Sequence, residues 1–195
     1  HDCSPADVPA DVWADGQAVV YQDMGSLPQL DGRPAAALLQ QARAQGAITF
    51  ADENLGRRRP VGVLDTMLPA IDWFLPSAAD LGDMLGLDEP DAIAQALRAH
   101  GARGVVLKLG RDGCRVYDCD HDPVQVASCA ERVVDTTGAG DCFDAGFIAA
   151  LLAGHAPTAA AHAGACTAAA CIAHVGAAEG IPRWGEVGAA LPTAE

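Results

Sequence analysis

Apolar runs that predict buried strands alternate with amphipathic runs that predict helices along most of this 195-residue chain. Short stretches rich in branched side chains, such as residues 17–24 and 104–110, have the length and composition of strands. Longer stretches with a helical period, such as residues 32–46 and 89–101, end at glycines. This alternation is typical of a mainly parallel sheet with helices on both faces. The sequence therefore predicts one α/β domain over residues 1–195.

The remaining segments extend the same pattern. We expect strands at residues 47–52 and 71–76, a helix with Ser77 as its N-cap, a hairpin around 118–122, and two helices over 139–153 and about 157–173. The hairpin segment contains Asp118, Asp120, His121 and Asp122, which also form a candidate metal cluster. A following proline and alternating flanking residues favour the hairpin.

Composition excludes some functions. The chain has 12 Lys and Arg against 26 Asp and Glu. It therefore offers no basic face to which a nucleic acid could bind. The three arginines 57–59 are typical of a solvated turn. The seven cysteines are an odd number without CxxC spacing, and neither a signal peptide nor an apolar run of eighteen residues is found. We therefore expect no membrane partner, a reducing cytoplasmic setting, and cysteines that serve as small core residues.

A glycine-rich turn at the mouth of a helix is the strongest functional signal. In the stretch "VVDTTGAGDCFDAGFIAALLAG" (133–154), Gly138 and Gly140 allow a sharp turn and a close approach of a ligand. The amides of residues 138–141 would be unpaired at a helix N-terminus, which is an anion site. Asp141 is then either a stabilising first-turn acid or an acceptor that deprotonates a hydroxyl.

The segment "DTTGAGDCFDAGF" closely resembles the C-terminal signature of the ribokinase-like carbohydrate kinases, the phosphofructokinase B family. The resemblance implies a ribokinase-like, Rossmann-type fold and transfer of the ATP γ-phosphoryl group to a sugar hydroxyl. It implies Asp141 as catalytic base and Gly138, Ala139 and Gly140 as the anion hole. Asp135 and Thr137 match positions that, in many members, help bind a monovalent cation such as K⁺.

Other segments resemble the nucleotide and substrate regions of the same family. The segment "VVLKLGRDGCRVY" is similar to the part that passes under the nucleotide phosphates, and the end of the chain is similar to the part that encloses adenine. The residues that the resemblance assigns to ATP are Ser77, Lys108, Gly110, Gly113, Cys166, Gly176 and Ala177. The residues assigned to the acceptor substrate are Asp23 and Asn54, together with the catalytic base Asp141.

One departure concerns magnesium. Ser77 and Asp80 stand where the family usually carries an asparagine and, three residues on, a glutamate that organises Mg²⁺ through water. Serine can cap a helix and contact a phosphate, and aspartate can reach a hydrated magnesium with one methylene less. The departure concerns the metal arrangement rather than the reaction.

The resemblance covers essentially this whole chain but only about the last two-thirds of a usual member. The first strands, a Gly-Gly sugar-binding segment and a small β-sheet lid are the parts that we expect to be absent. The implied partners are a small sugar or sugar acid, and either a second copy of the chain or the N-terminal segment. Two alternatives stay open, namely a non-catalytic nucleotide-binding remnant and a nucleoside kinase of the same fold.

Overall fold

The computed structural model describes residues 3–9, 16–54 and 61–188. The three arginines 57–59, for which a solvated turn is predicted, lie outside these residues.

Six strands form a mixed sheet whose strand order follows the chain. They are β1 (Ala18–Met24), β2 (Ile48–Glu53), β3 (Trp73–Phe74), β4 (Gly104–Lys108), β5 (Cys114–Tyr117) and β6 (Val124–Val126). β1, β2, β3 and β4 pair in parallel, whereas β5 and β6 pair antiparallel. The predicted α/β class is confirmed, although β3 is shorter than the strand expected over residues 71–76.

The helices also follow the sequence prediction closely. They are α1 (Arg33–Ala44), α2 (Val61–Met67), α3 (Ala78–Leu85), α4 (Pro90–Ala99), α5 (Ala139–Leu152), α6 (Pro157–Ile172) and α7 (Trp184–Gly188). The two short helices α2 and α7 were not predicted, because seven and five residues are too few to establish a helical period. None of the helices among the described residues has the length and apolar character needed to cross a bilayer.

The chain divides into two compact units, of which the first comprises the residues up to Leu107 together with Tyr117–His121. In its parallel strands, Phe50 lies opposite Val20 on one side and Trp73 on the other. Phe50 is fully buried, as expected for the central part of a sheet in an α/β fold. Parallel strands end at a common edge, and this places the polar residues that follow β1 and β2 at the same edge of the sheet.

The second unit comprises Lys108–Val116 and the residues from Asp122 onward, and its core is the packing of α5 on α6. A Cβ atom added to Gly146 of α5 would lie 2.8 Å from the Ala163 carbonyl oxygen of α6. One added to Gly164 of α6 would lie 2.7 Å from the Phe143 carbonyl oxygen of α5. Small residues on both helices therefore allow their backbones to approach closely, as the alanine-rich composition suggests.

The hairpin prediction is confirmed by the antiparallel pairing of β5 with β6. Between these strands, the Asp118 carboxylate accepts hydrogen bonds from the backbone N–H groups of Asp120 and His121, at 2.9 and 2.7 Å. An aspartate that bonds the backbone two and three residues ahead stabilises a turn. Asp118 of the acidic cluster therefore has a local role in the hairpin.

The segment of residues 127–138, between β6 and α5, has neither strand nor helix. Its apolar residues Val133 and Val134 are 62% and 42% exposed. In doubly wound sheets, ligand-binding turns ordinarily follow the carboxyl end of a strand, which the apolar start of the stretch 133–154 would predict here. The turn instead follows irregular chain, and both valines are largely exposed rather than buried in a strand.

The cysteines do not all behave as predicted. Cys114, Cys142 and Cys171 are buried and free, as expected of small core residues, whereas Cys3 and Cys119 are exposed. Cys129 and Cys166 form a disulfide, with their Cα atoms 5.0 Å apart. The prediction of unpaired core cysteines is therefore wrong for this pair, because the folded chain brings together two residues 37 positions apart.

Candidate functional site

The start of α5 has no side-chain cap. Its N-cap residue, Gly138, has φ +77°, a left-handed conformation that glycine adopts without a Cβ clash. Because glycine has no side chain, it cannot form a capping hydrogen bond with an amide of the first turn. The Ala139 N–H donates to the Thr136 carbonyl at 3.2 Å. Among the described residues, no hydrogen-bond acceptor is found for the Gly138 and Gly140 amides. Of the amides of residues 138–141, which were predicted to form the anion site, those of Gly138 and Gly140 therefore remain for an anion, whereas that of Ala139 is hydrogen-bonded to Thr136.

Packing also requires a glycine at position 138. A Cβ atom at this position would lie 2.5 Å from the carbonyl oxygen and 2.8 Å from the Cα of Ala177. The Gly176–Ala177 turn, which we predicted beside adenine, therefore lies directly against the glycine-rich turn. A residue with any side chain at position 138 would push these two turns apart.

Two buried thiols also contact the Ala177 carbonyl. The Sγ atoms of Cys142 and Cys171 lie 3.5 and 3.3 Å from that oxygen. Burial, reinforced by the hydrogen bond with Cys171, raises the pKa of Cys142 to about 12, so its thiol keeps the proton that it donates. These contacts hold the Ala177 turn at the start of α5. This role could not be predicted from the sequence, because free cysteines resemble any small apolar residue.

Asp135 connects the same two turns through its carboxylate. One oxygen accepts the N–H of Gly176 at 3.0 Å, and the other accepts the N–H and the hydroxyl of Thr137 at 3.0 and 2.7 Å. The Gly176 backbone hydrogen bond, followed by those of Thr137, lowers the pKa of Asp135 below its usual value. Its carboxylate is therefore ionised at neutral pH and organises the loop before α5.

The donor set at Asp135 and Thr137 fits a monovalent cation chemically. A carboxylate has about four acceptor sites, and the contacts above engage three of those of Asp135. The remaining site and the Thr137 hydroxyl oxygen are hard oxygen donors of the type that alkali and alkaline-earth cations take.

Asp141 is exposed and lies in the first turn of α5, two residues after its first residue. A carboxylate here is favoured by the positive end of the helix dipole. Asp141 directly follows residues 138–140, so one helix end carries a proton acceptor and two N–H groups, those of Gly138 and Gly140, that can donate hydrogen bonds to an anion. This arrangement can hold a charged oxygen while it deprotonates a hydroxyl.

One turn further along α5, Asp144 is buried and its Oδ1 lies 3.3 Å from the Nζ of Lys108. The side chain of Lys108 is only 15% exposed, and that of Asp144 only 2%. Lys108 was predicted to face the nucleotide phosphates, and in the structure its ammonium group contacts this carboxylate. Asp144 was not identified from the sequence, although it lies inside the glycine-rich signature, because an acid on a helix is ordinarily solvated.

Of the predicted glycines, Gly110 begins a single 3₁₀ turn, Gly110–Asp112, and Gly113 directly follows it. The Leu109 N–H donates to the Gly113 carbonyl at 2.8 Å and closes the turn. Gly113 has φ +84°, and a Cβ atom there would overlap the backbone of Val126 and lie 2.6 Å from the Ser128 nitrogen. Packing against that strand thus explains Gly113, whereas a Cβ at Gly110 would meet open space.

In the first unit, Ser77 and Asp80 form the start of α3. The Ser77 hydroxyl accepts the Asp80 N–H at 3.4 Å, which confirms Ser77 as N-cap. The Ser77 N–H itself donates to the Glu53 carboxylate at 2.9 Å. Glu53 was not identified from the sequence, since its partner is 24 residues away. The Asp80 carboxylate is exposed, which suits contact with a hydrated Mg²⁺ ion.

Asp23 and Asn54, the predicted substrate residues, contact each other at the ends of β1 and β2. The Asn54 side-chain amide donates to the Asp23 carboxylate at 2.8 Å. The Ser26 hydroxyl donates to the Asn54 carbonyl, which fixes the loop that leaves β1. Asp23 has φ +60°, which is uncommon for a residue with a side chain. Such strained polar residues are concentrated at functional sites.

The structure therefore assembles two groups of the predicted residues. Within the second unit, the start of α5 brings together Asp135, Thr137, Gly138, Ala139, Gly140, Asp141, Gly176 and Ala177. Within the first unit, Asp23 contacts Asn54, and Ser77 caps Asp80. Cys166, predicted beside adenine, lies in α6 and is bonded to Cys129.

Comparisons with known proteins agree on the fold. A family model described as pfkB family carbohydrate kinase matches residues 4–184. An uncharacterised sugar kinase of Archaeoglobus fulgidus is 36% identical over 125 residues, which are 64% of this chain and 49% of that protein. A fructokinase of Rhizobium leguminosarum is 35% identical over 156 residues, 75% of this chain and 46% of that protein.

Solved structures give the same result. The Arabidopsis thaliana ribokinase complexed with ribose and ATP has a TM-score of 0.72 and 26% identity, and the match covers 91% of this chain and 56% of that one. The chain spans about half the length, or less, of the curated relatives it matches.

Proposed function

Because the chain belongs to the pfkB family of carbohydrate kinases, we propose that it transfers the γ-phosphoryl group of ATP to a hydroxyl of a small carbohydrate or sugar acid. The observation that carries the proposal is the start of α5. There a glycine N-cap without a capping side chain precedes a first-turn carboxylate, Asp141. A serine, threonine, asparagine or aspartate cap would satisfy a first-turn amide with its side chain, which glycine cannot do, so the amides at this helix start are left for a ligand or water.

In the proposed reaction, Asp141 accepts the proton of the acceptor hydroxyl as its oxygen attacks the γ-phosphorus. The bond from that phosphorus to the bridging oxygen breaks, and ADP leaves with the electron pair. The Gly138 and Gly140 amides stabilise the charge that develops on the phosphoryl oxygens. Asp135 orients this loop through Thr137 and Gly176 and does not itself transfer a proton.

Bound Mg²⁺ would neutralise charge between the phosphates, as in other phosphoryl transfers. We assign Asp80 to its hydration shell and Ser77 to a nearby phosphate. Asp135 and Thr137 are the residues that would hold K⁺. Both assignments rest on exposed or partly engaged oxygen donors.

The nucleotide is assigned to Gly110, Gly113, Gly176 and Ala177, together with Cys166 of α6, the helix that precedes Gly176. The Lys108 ammonium group contacts Asp144, so we assign Lys108 to the positioning of α5; direct contact with a phosphate would require it to leave that carboxylate. On the substrate side, Asp23 and Asn54 carry the polar atoms that would bind hydroxyl groups of the acceptor.

A second candidate is a nucleotide-binding protein without catalysis. An intact Asp141 in an intact glycine-rich turn favours the kinase. A nucleoside acceptor is the alternative within the same reaction.

The experiment is ADP release from Mg·ATP over a panel of pentoses, hexoses, sugar acids and nucleosides, with Asp141→Asn measured beside the unmodified chain. ATP binding is measured by calorimetry on both proteins. The kinase proposal expects acceptor-dependent ADP release that the variant loses while it still binds ATP. ATP binding without ADP release for any acceptor would support the non-catalytic alternative, and neither binding nor release would contradict both.

A further inference from the structure

One cluster of reactive side chains includes Cys166, which is also assigned to the nucleotide, but none of the residues that would transfer the proton or stabilise the phosphoryl group. Cys129, in the segment 127–138, and Cys166, in α6, are partly buried, and His162 of α6 is exposed beside them. Donor atoms of all three lie within 4.8 Å of one another. We propose that Cys129 and Cys166 form a reversible thiol–disulfide site, with His162 as proton acceptor, that reacts with small-molecule disulfides.

The backbone permits both states of the pair. The Cα atoms of Cys129 and Cys166 are 5.0 Å apart, within the range that a disulfide spans without backbone movement. The two residues are 37 positions apart in the sequence, so only the fold brings them together. Because both are partly exposed, a small oxidant or reductant in solution can reach the sulfur atoms.

The imidazole of His162 faces both sulfur atoms. Its Nδ1 lies 3.9 Å from the Cys129 Sγ, and its Nε2 lies 3.6 Å from the Cys166 Sγ. His162 is placed there by the helix, since residues four apart lie on one face. A single metal ion could use only one of these nitrogens. One nitrogen beside each sulfur is better suited to accepting a proton from either thiol, which produces the reactive thiolate.

The reaction is a two-step exchange with a disulfide such as oxidised glutathione. The Cys166 thiolate attacks one glutathione sulfur, which forms a mixed disulfide and releases one glutathione thiolate. The Cys129 thiolate then attacks the Cys166 sulfur, which forms the Cys129–Cys166 bond and releases the second glutathione. Two electrons pass from the protein to glutathione, and the two thiol protons end on the released glutathione molecules.

Oxidation has a structural consequence for the loop before α5. The Val134 and Asp135 N–H groups already donate to the Ile172 carbonyl at the end of α6, at 2.7 and 3.3 Å. The disulfide adds a second attachment of this segment to α6. The residues between the two attachments are largely exposed, so we expect their amides to exchange faster when the pair is reduced.

The experiment titrates the full chain with mixtures of reduced and oxidised glutathione, alkylates the remaining thiols and identifies modified peptides by mass spectrometry. We expect Cys129 and Cys166 to lose reactivity together and to appear as one linked peptide. In Cys129→Ser, Cys166 should instead accumulate bound glutathione. Cys119→Ser is the matched control, because Cys119 is exposed and free, and it should leave the transition unchanged.

His162→Gln separates the proton-transfer role from a structural one. We expect exchange about tenfold slower at an unchanged equilibrium ratio, with the rate restored by added imidazole. Deuterium exchange of residues 130–134 should be faster in the reduced protein. Independent modification of Cys129 and Cys166, or a linked peptide that contains another cysteine, would overturn the proposal. None of these measurements uses phosphoryl transfer, so their result is independent of the proposed kinase activity.

Discussion

The helices α3 and α5 begin with the same spacing of residues but in opposite ways. α3 has an N-cap serine and an aspartate three residues later, Ser77 and Asp80, and its first turn is capped by the serine hydroxyl. α5 has a glycine and an aspartate at the same spacing, Gly138 and Asp141, and no capping side chain. The first turn of α3 is thus capped by a side chain of the protein, whereas the first turn of α5 has no side-chain cap.

The difference shows how a helix start can be reserved for a ligand. Side-chain caps satisfy the first-turn amides and stabilise the helix. A glycine N-cap leaves those amides to water or to an anion, and it adopts a positive φ that brings the chain close to Ala177. Stability at the start of α5 must then come from elsewhere, from Asp135 in the preceding loop and from Asp144 one turn on.

The largest expected effect distinguishes the two first-turn acids. Asp141→Asn should lower turnover by about 10²–10⁴-fold with little change in ATP affinity, because removing a general base affects the transition state rather than binding. Asp80→Asn should give a smaller loss that excess Mg²⁺ restores. Steady-state kinetics over a range of Mg²⁺ concentrations measures both. Equal losses in the two variants would remove the distinction between the helix starts.

The next effect concerns the acids one turn further along each helix. Asp144 is buried against Lys108, whereas the corresponding Asp83 of α3 is exposed. Asp144→Asn should lower the free energy of unfolding by about 3 kcal/mol, because it removes the charge of a buried carboxylate that lies 3.3 Å from a largely buried ammonium group. Asp83→Asn should change it by less than about 0.5 kcal/mol.

Denaturant titration gives both values for these acids. A double variant, Lys108→Met with Asp144→Leu, should recover much of the loss, since well-packed apolar residues can replace a buried ion pair. Failure of the double variant to recover would indicate that the pair stabilises the protein by more than the neutralisation of its own two charges.

Replacing Gly138 by alanine should destabilise the protein by about 2–3 kcal/mol, since backbone strain at positive φ adds to the overlap with Ala177. The matched control is Gly86→Ala at the C-cap of α3, where φ is +70° and a Cβ would meet open space. Strain alone predicts about 1 kcal/mol there. Thermal unfolding compares the two variants, and similar losses would mean that the Ala177 contact gives way.

The pH dependence of stability should differ between the two starts. The folded-state pKa of Asp135 is lowered by its hydrogen bonds, so its contribution is present above its usual pKa and is lost as pH falls through the folded value. The stability difference between the unmodified chain and Asp135→Asn should be constant near neutral pH and shrink below about pH 4. Urea titrations from pH 3 to 7 measure it, and a difference that grows in acid would contradict the assigned hydrogen bonds.

The smallest effect is expected at the capped start of α3. Ser77→Ala should cost about 0.5–1 kcal/mol, at the lower end for a cap because the hydroxyl lies 3.4 Å from the Asp80 nitrogen. A hydroxyl does not titrate in this range, so this loss should be the same at pH 4 and pH 7. The same urea titrations provide the comparison with Asp135→Asn.

The sequence by itself determined the α/β class, nearly all helix and strand positions, the family and the glycine-rich turn before Asp141. These follow from local periodicity, from caps such as Ser77 and from a long motif, all of which are contained in neighbouring residues. Only the tertiary structure decided which distant groups meet. It paired Glu53 with Ser77 and Lys108 with Asp144, bonded Cys129 to Cys166, and placed Ala177 against Gly138. Such partners cannot be read from a pattern, because chain folding and not sequence spacing sets the distance between residues far apart in the chain.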